Sequence, residues 1–137
     1  MAKAIPQIHE YMTPTPLTIG ADQMLSQAHL MMREHGIRHL PVLVGGKLEG
    51  IVSDRDLALV EALRDVDPAM VTVEEAMSPI VYAVAPETPL DEIAAHMAEH
   101  KLGSAIVLRG GKVVGVFTAV DGLRALAEVL HASAKHA

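Results

Sequence analysis

The sequence predicts an α/β sandwich built from two tandem β-α-β-β-α units related by a pseudo-twofold axis. Three observations carry that prediction. Displacing the chain by 65 residues aligns 12–57 with 77–122 without a gap, and 13 of the 46 positions are identical. Each copy has two Val/Ile/Leu-rich runs separated by Gly-Gly, a hairpin signal because both turn residues can take positive φ. Ahead of each hairpin, apolar residues recur at three- and four-residue spacing, the period of a helix with one buried face.

The elements follow in order. A short extended stretch is expected at Leu17–Ile19 and again at Ile80–Val84. A helix follows over about Asp22–His35, with Asp22 as its N-cap, and over about Pro89–Lys101, with Thr88 before a proline at the first helical position. Met24, Leu25, Ala28, Met31 and Met32 form the inner stripe of one helix, and Leu90, Ile93, Ala94 and Met97 that of the other. Gly36 ends the first helix; the second has Lys101 there and is expected to stop on Gly103. The strands are Leu40–Val44 with Lys47–Ser53, and Ser104–Arg109 with Lys112–Thr118. A closing helix begins near Asp54 in one copy and near Ala119 in the other, where it continues towards His131. The stretch Thr72-Val-Glu-Glu75 opens a capped turn. The repeats are thus placed at 8–66 and 72–131, with a linker at 67–71 and a frayed tail at 132–137.

Composition narrows the function. The net charge is −6 and only Tyr11, Tyr82 and Phe117 are aromatic, which argues against a nucleic-acid partner. Protonating all eight histidines would move the charge to about +2. There is no cysteine, so thiol nucleophiles, disulfides and thiolate metal sites are excluded. No apolar run reaches the roughly 20 residues of a membrane span, and the first ten residues do not read as a signal peptide. A soluble, cytoplasmic protein without a membrane or nucleic-acid role is expected.

Three stretches then carry a resemblance: Met12-Thr13-Pro14, Gly36-Ile37-Arg38-His39-Leu40-Pro41-Val42, and Gly50-Ile51-Val52-Ser53-Asp54-Arg55-Asp56-Leu57. Their counterparts are Met77-Ser78-Pro79, Ser104-Ala105-Ile106-Val107, and Gly115-Val116-Phe117-Thr118-Ala119-Val120-Asp121. Together they resemble the signature of a CBS-domain pair, or Bateman module, across nearly the whole chain. The resemblance implies an adenine nucleotide as regulatory ligand in a cleft between the repeats, with S-adenosylmethionine and NAD as further candidates and no cofactor required. It also implies a homodimer forming a disc of four repeats, and a protein effector that the sequence does not identify.

Within that resemblance, Ser53 and Thr118 would contact phosphate, and Asp56 and Asp121 would accept hydrogen bonds from ribose hydroxyls. Independently of the family, each lies where a strand enters a helix N-terminus, where unsatisfied N–H groups attract an anion. The same Ser/Thr-x-x-Asp spacing is also that of a capping box, and both roles are compatible. The resemblance turns Arg38 towards phosphate; Arg55, in a first helical turn where the dipole disfavours a cation, either meets an anion or is simply exposed to solvent. The second copy has Gly103 and Val120 instead, so the two sites are expected to differ, with Arg124 as the one compensating cation. The base pocket implied for the Asp56 site is Ile80, Tyr82, Leu102 and Ser104; for the Asp121 site it is Thr15, Leu17, Ile37 and His39. The ordinary reading of each of these residues is plain core, ahead of a pocket role. His96 and His100, four apart on one helix, have a chelating spacing but no acidic residue placed to complete a catalytic zinc motif. No nucleophile–base pair is present, so an enzyme is not expected. The alternative to a ligand sensor is a ligand-independent homodimeric interaction module.

Overall fold

The computed structural model describes residues 4–14 and 17–135, which form mixed α/β structure in two compact units. One unit contains residues 17–81. Its strands are β2 (Ile19–Gly20), β3 (His39–Val44) and β4 (Lys47–Ser53), and its helices are α1 (Leu25–His35) and α2 (Asp54–Arg64). β2 runs parallel to β3 through the α1 crossover, and β3 pairs antiparallel with β4. Leu25, Ala28 and Met32 of α1 are buried with Leu40, Val42, Val52 and Leu57. This is the stripe that the helical period indicates, except that Met31 is only half-buried and Met24, ahead of the helix, is exposed.

The other unit joins residues 4–14 to 82–135. It contains β1 (Thr13–Pro14), β5 (Ala83–Val84), β6 (Ser104–Arg109), β7 (Lys112–Thr118), α3 (Leu90–His100) and α4 (Ala119–Lys135). Its sheet order is β1-β7-β6-β5, one strand more than in the first unit. Ile8, Ile93, Met97, Ala105, Val107 and Phe117 make its core. α4 extends beyond His131, so Ala132–Lys135 continue the helix instead of fraying.

The hairpins match the repeat in detail. Gly45 and Gly46 have φ of 56° and 80°, and Gly110 and Gly111 have 58° and 80°. Both β-ladders shift register at the same place, between Val42 and Leu43 and between Val107 and Leu108.

Three expectations are corrected. α1 begins at Leu25 with Met24 as its N-cap, not at Asp22. Met24 bridges Thr72, Leu25 N–H donates to the Val71 carbonyl and Ser26 N–H to the Pro68 carbonyl, so backbone from the 68–72 stretch caps the helix. α3 begins at Leu90, with Pro89 as its N-cap and Leu90 N–H donating to the Pro6 carbonyl. It ends at His100, because Lys101 itself takes the left-handed conformation at φ 55° that Gly36 takes at 62°.

The second unit recruits the start of the chain. Thr13 pairs with Val116 and Pro14 with Gly115, and Tyr11 hydrogen-bonds Glu128 of α4, which raises the Tyr11 pKa. The equivalent in the first unit is Ser78, whose N–H and carbonyl exchange bonds of 2.8 and 2.9 Å with Ile51. In both units the methionine sulfur of the Met-Thr/Ser-Pro stretch lies over a strand glycine, Met77 over Gly50 and Met12 over Gly115. A Cβ at Gly50 would stand 2.7 Å from Met77 Sδ and 2.8 Å from the Ser78 carbonyl oxygen.

Candidate functional site

The two Ser/Thr-x-x-Asp elements sit at the β4–α2 and β7–α4 junctions. Ser53 is the N-cap of α2, in extended conformation at φ −112° and ψ 164°. Its Oγ accepts from Asp56 N–H at 3.1 Å, and its own N–H donates to Asp56 Oδ2 at 2.8 Å. The capping box is therefore formed. Asp54 N–H donates to the Arg38 carbonyl at 3.0 Å and Arg55 N–H to Asp54 Oδ1 at 2.8 Å. The first three N–H groups of α2 are thus already satisfied, where the sequence suggested free donors for an anion. Capacity for anionic charge at this junction resides in side chains. Arg38 is 79% exposed and stands 4.0 Å from Asp54, a loose pairing, and Arg55 is exposed beside it.

Asp56 is half-buried, and its Oδ1 accepts no hydrogen bond from the described residues. His39 faces Ser53 across the β3–β4 ladder. Burial lowers its pKa; Asp54 and Asp56 pull the other way, and Arg38 adds to the lowering.

The second junction repeats the box. Thr118 N–H donates to Asp121 Oδ2 at 2.9 Å, Thr118 Oγ1 to the same oxygen at 3.2 Å, and Asp121 N–H to Thr118 Oγ1 at 3.3 Å. Ala119 N–H donates to the Gly103 carbonyl, copying the Asp54–Arg38 bond. Here Arg124 adds a bond from Nη1 to Asp121 Oδ1 at 3.3 Å, and Asp121 is only 6% exposed.

The expected base-pocket residues divide. Ile37 and Leu17 pack half-buried on the core of the 17–81 unit. Tyr82 and Leu102 do the same in the other unit, where half-buried Ser104 faces Thr118 across the β6–β7 ladder. Ile80 is 77% exposed. Thr15 lies outside the described residues. Tyr82 stacks on His96, with ring centroids 4.0 Å apart, and His96 in turn meets His100 at 4.3 Å. One face of the Tyr82 ring is therefore taken, and burial together with Glu92 raises its pKa. Among the described residues no three His, Asp or Glu side chains gather as metal ligands, and no helix is long and apolar enough to cross a membrane.

The CBS-domain family model matches this chain twice, over residues 8–62 and 73–128. The chain belongs to the CBS-domain family. This CBS pair is similar to several proteins of known sequence or structure. It is 33% identical over 122 residues to an inosine-5'-monophosphate dehydrogenase from Korarchaeum cryptofilum, a match covering 88% of this chain and 24% of that enzyme. The chain thus spans about a quarter of that relative's length. A solved acetoin utilization protein (AcuB) from Vibrio cholerae superposes with a TM-score of 0.82 at 30% identity, covering 96% of this chain and 98% of that one. The CBS pair of protein MJ0100, solved in complex with 5'-methylthioadenosine and S-adenosyl-L-methionine, gives 0.83 at 26% identity, covering 91% and 98%.

Proposed function

We propose that this CBS pair is a regulatory module, not an enzyme, that binds an adenosine-containing ligand bearing phosphate and signals through a change in conformation or in affinity for a protein effector. The observation that carries the reading is Oδ1 of half-buried Asp56, which accepts no hydrogen bond from the described residues, at a helix start that also carries exposed Arg55 and has Arg38 4.0 Å from Asp54. A carboxylate oxygen with open lone pairs is an acceptor for ribose hydroxyls, and an arginine pair matches phosphate charge. The ligands of the MJ0100 pair support the adenosine half of this reading, although neither of them carries phosphate. Signalling then follows from linkage, since a ligand shifts a conformational equilibrium by its differential affinity for the two states.

The test is a thermal-shift series with AMP, ADP, ATP, S-adenosylmethionine and NAD. A ligand present at about 100 times its Kd adds roughly 2.7 kcal/mol, a shift of several degrees. That shift is expected to vanish in Asp56→Ala; no shift with any of the five overturns the reading.

One observation favours a second reading, a ligand-independent homodimeric interaction module. α4 leaves Val120, Leu123, Leu126, Val129 and Leu130 exposed, more apolar surface than a solitary amphipathic helix ordinarily shows to water. Sedimentation equilibrium with and without nucleotide separates the two, because the module predicts a dimer whose stability ignores ligand.

A further inference from the structure

The two junctions are copies of one pattern, yet their carboxylates have different partners, and one substitution between the repeats accompanies the difference. Position 124 holds arginine, whereas its counterpart, position 59, holds an exposed leucine. Resting on the ligand-binding reading above, we propose that Arg124 closes the Thr118–Asp121 element from within, so that the chain offers one nucleotide position, at Ser53–Asp56, and not the two that its duplication suggests.

A ribose diol enters such a site by donating to carboxylate oxygens. Asp121 Oδ2 already accepts from the Thr118 backbone and hydroxyl, and Oδ1 accepts from the Arg124 guanidinium. A guanidinium brings a full positive charge to the carboxylate together with its hydrogen bond, which a neutral hydroxyl does not. The diol would exchange a stronger donor for a weaker one at a carboxylate that is almost wholly covered. At the first junction Asp56 Oδ2 accepts from Ser53 alone, Oδ1 is open, and no cation competes from position 59. Phosphate charge fares likewise: Gly103 and Val120 stand where Arg38 and Arg55 do, and the single arginine nearby is engaged.

The experiment is isothermal titration of the full chain with AMP as probe, on wild type, Asp56→Ala, Asp121→Ala, Arg124→Gln and the Asp56→Ala, Arg124→Gln double variant. Arg124 is 68% exposed, so glutamine there leaves the fold intact, and circular dichroism checks this for every variant. The expected stoichiometries are one AMP per wild-type chain, none for Asp56→Ala, two for Arg124→Gln, and one for the double variant. Two sites in wild type, or an Arg124→Gln chain that still binds one, overturns this inference and leaves the proposed function standing. Wild-type binding that survives Asp56→Ala and is lost in Asp121→Ala overturns the choice of site. Absence of binding in both wild type and Arg124→Gln removes the nucleotide reading for AMP, and this inference with it.

Discussion

At the β4–α2 junction Asp56 is a half-solvated cap with one oxygen to spare, whereas at the β7–α4 junction Asp121 is a buried hub for Thr118, its own backbone and Arg124. Both descend from the same three-residue spacing, and both close the same capping box. The difference teaches that a duplicated motif conserves the local hydrogen bonds that start a helix while leaving the outward side of the carboxylate free to diverge. One helical turn downstream, Arg124 bonds the outward oxygen of Asp121, and Leu59 at the matching position offers Asp56 no such donor.

The largest effects should come from the glycines beneath the methionines, because there the two units are alike in contact and unlike in tolerance. Gly50→Ala is expected to cost about 2–3 kcal/mol, since the new Cβ meets the Ser78 carbonyl, which the Ile51 bridge holds in place. Gly115→Ala should cost about 1 kcal/mol, because the three atoms nearest the new Cβ all belong to the flexible Met12 side chain. Chemical denaturation measures both, and equal losses would break the distinction. Next in size is the cap itself. Asp121→Ala should destabilise by about 2 kcal/mol, for it removes a buried carboxylate that accepts from the Thr118 N–H and hydroxyl and from Arg124, and Asp56→Ala by about 1 kcal/mol, the worth of an ordinary cap. Denaturation midpoints that rank Asp56 above Asp121 would reverse the comparison.

A smaller contrast lies at the helix ends. Lys101→Gly should stabilise by about 0.5–1 kcal/mol by relieving a left-handed lysine, and Gly36→Ala should destabilise by about 1 kcal/mol at the matching position. Thermal midpoints of the two variants should therefore move in opposite directions. The smallest effect is a pH dependence confined to one copy. His39 has its pKa lowered below 6.5 in the folded chain, while its counterpart is Ser104, which does not titrate. The unfolded chain binds the proton more readily, so this contribution is complete above pH 6.5 and is lost as pH falls through the folded value. Wild type should lose more stability than His39→Gln between pH 7 and about pH 5, and identical pH profiles would exclude the effect.

Much of this architecture was legible in residues whose signals are local. The Gly-Gly turns placed both hairpins, Ser53–Asp56 and Thr72–Glu75 announced their capping boxes, and the helical period picked out Leu25, Ala28, Met32, Ile93 and Met97 for the cores. The helix starts were misplaced for the opposite reason. Met24 and Pro89 lack capping side chains, and the N–H groups behind them are met by the carbonyls of Val71 and Pro6, far along the chain. Lys101 gave no hint of a left-handed conformation, because lysine ordinarily avoids it. At the candidate site, the spacing of Thr118, Asp121 and Arg124 was visible, but the burial of Asp121 comes from folding and has no mark in the spacing. Nor could periodicity show that Tyr82 spends one ring face on His96.

The pairing of β1 with β7 also has a consequence for how the chain acquires its structure. Residues 17–81 form a contiguous unit, complete as soon as that stretch has been synthesised. The other unit is closed by its two ends, so Thr13 must wait for Val116, and the Pro6 carbonyl for Leu90. Contacts this distant in sequence close slowly, because the intervening chain must be gathered before they return any energy. Residues 4–14 are therefore among the last to find their place, and a nascent chain passes through a stage in which residues 17–81 are folded while Thr13 and Pro14 are still unpaired.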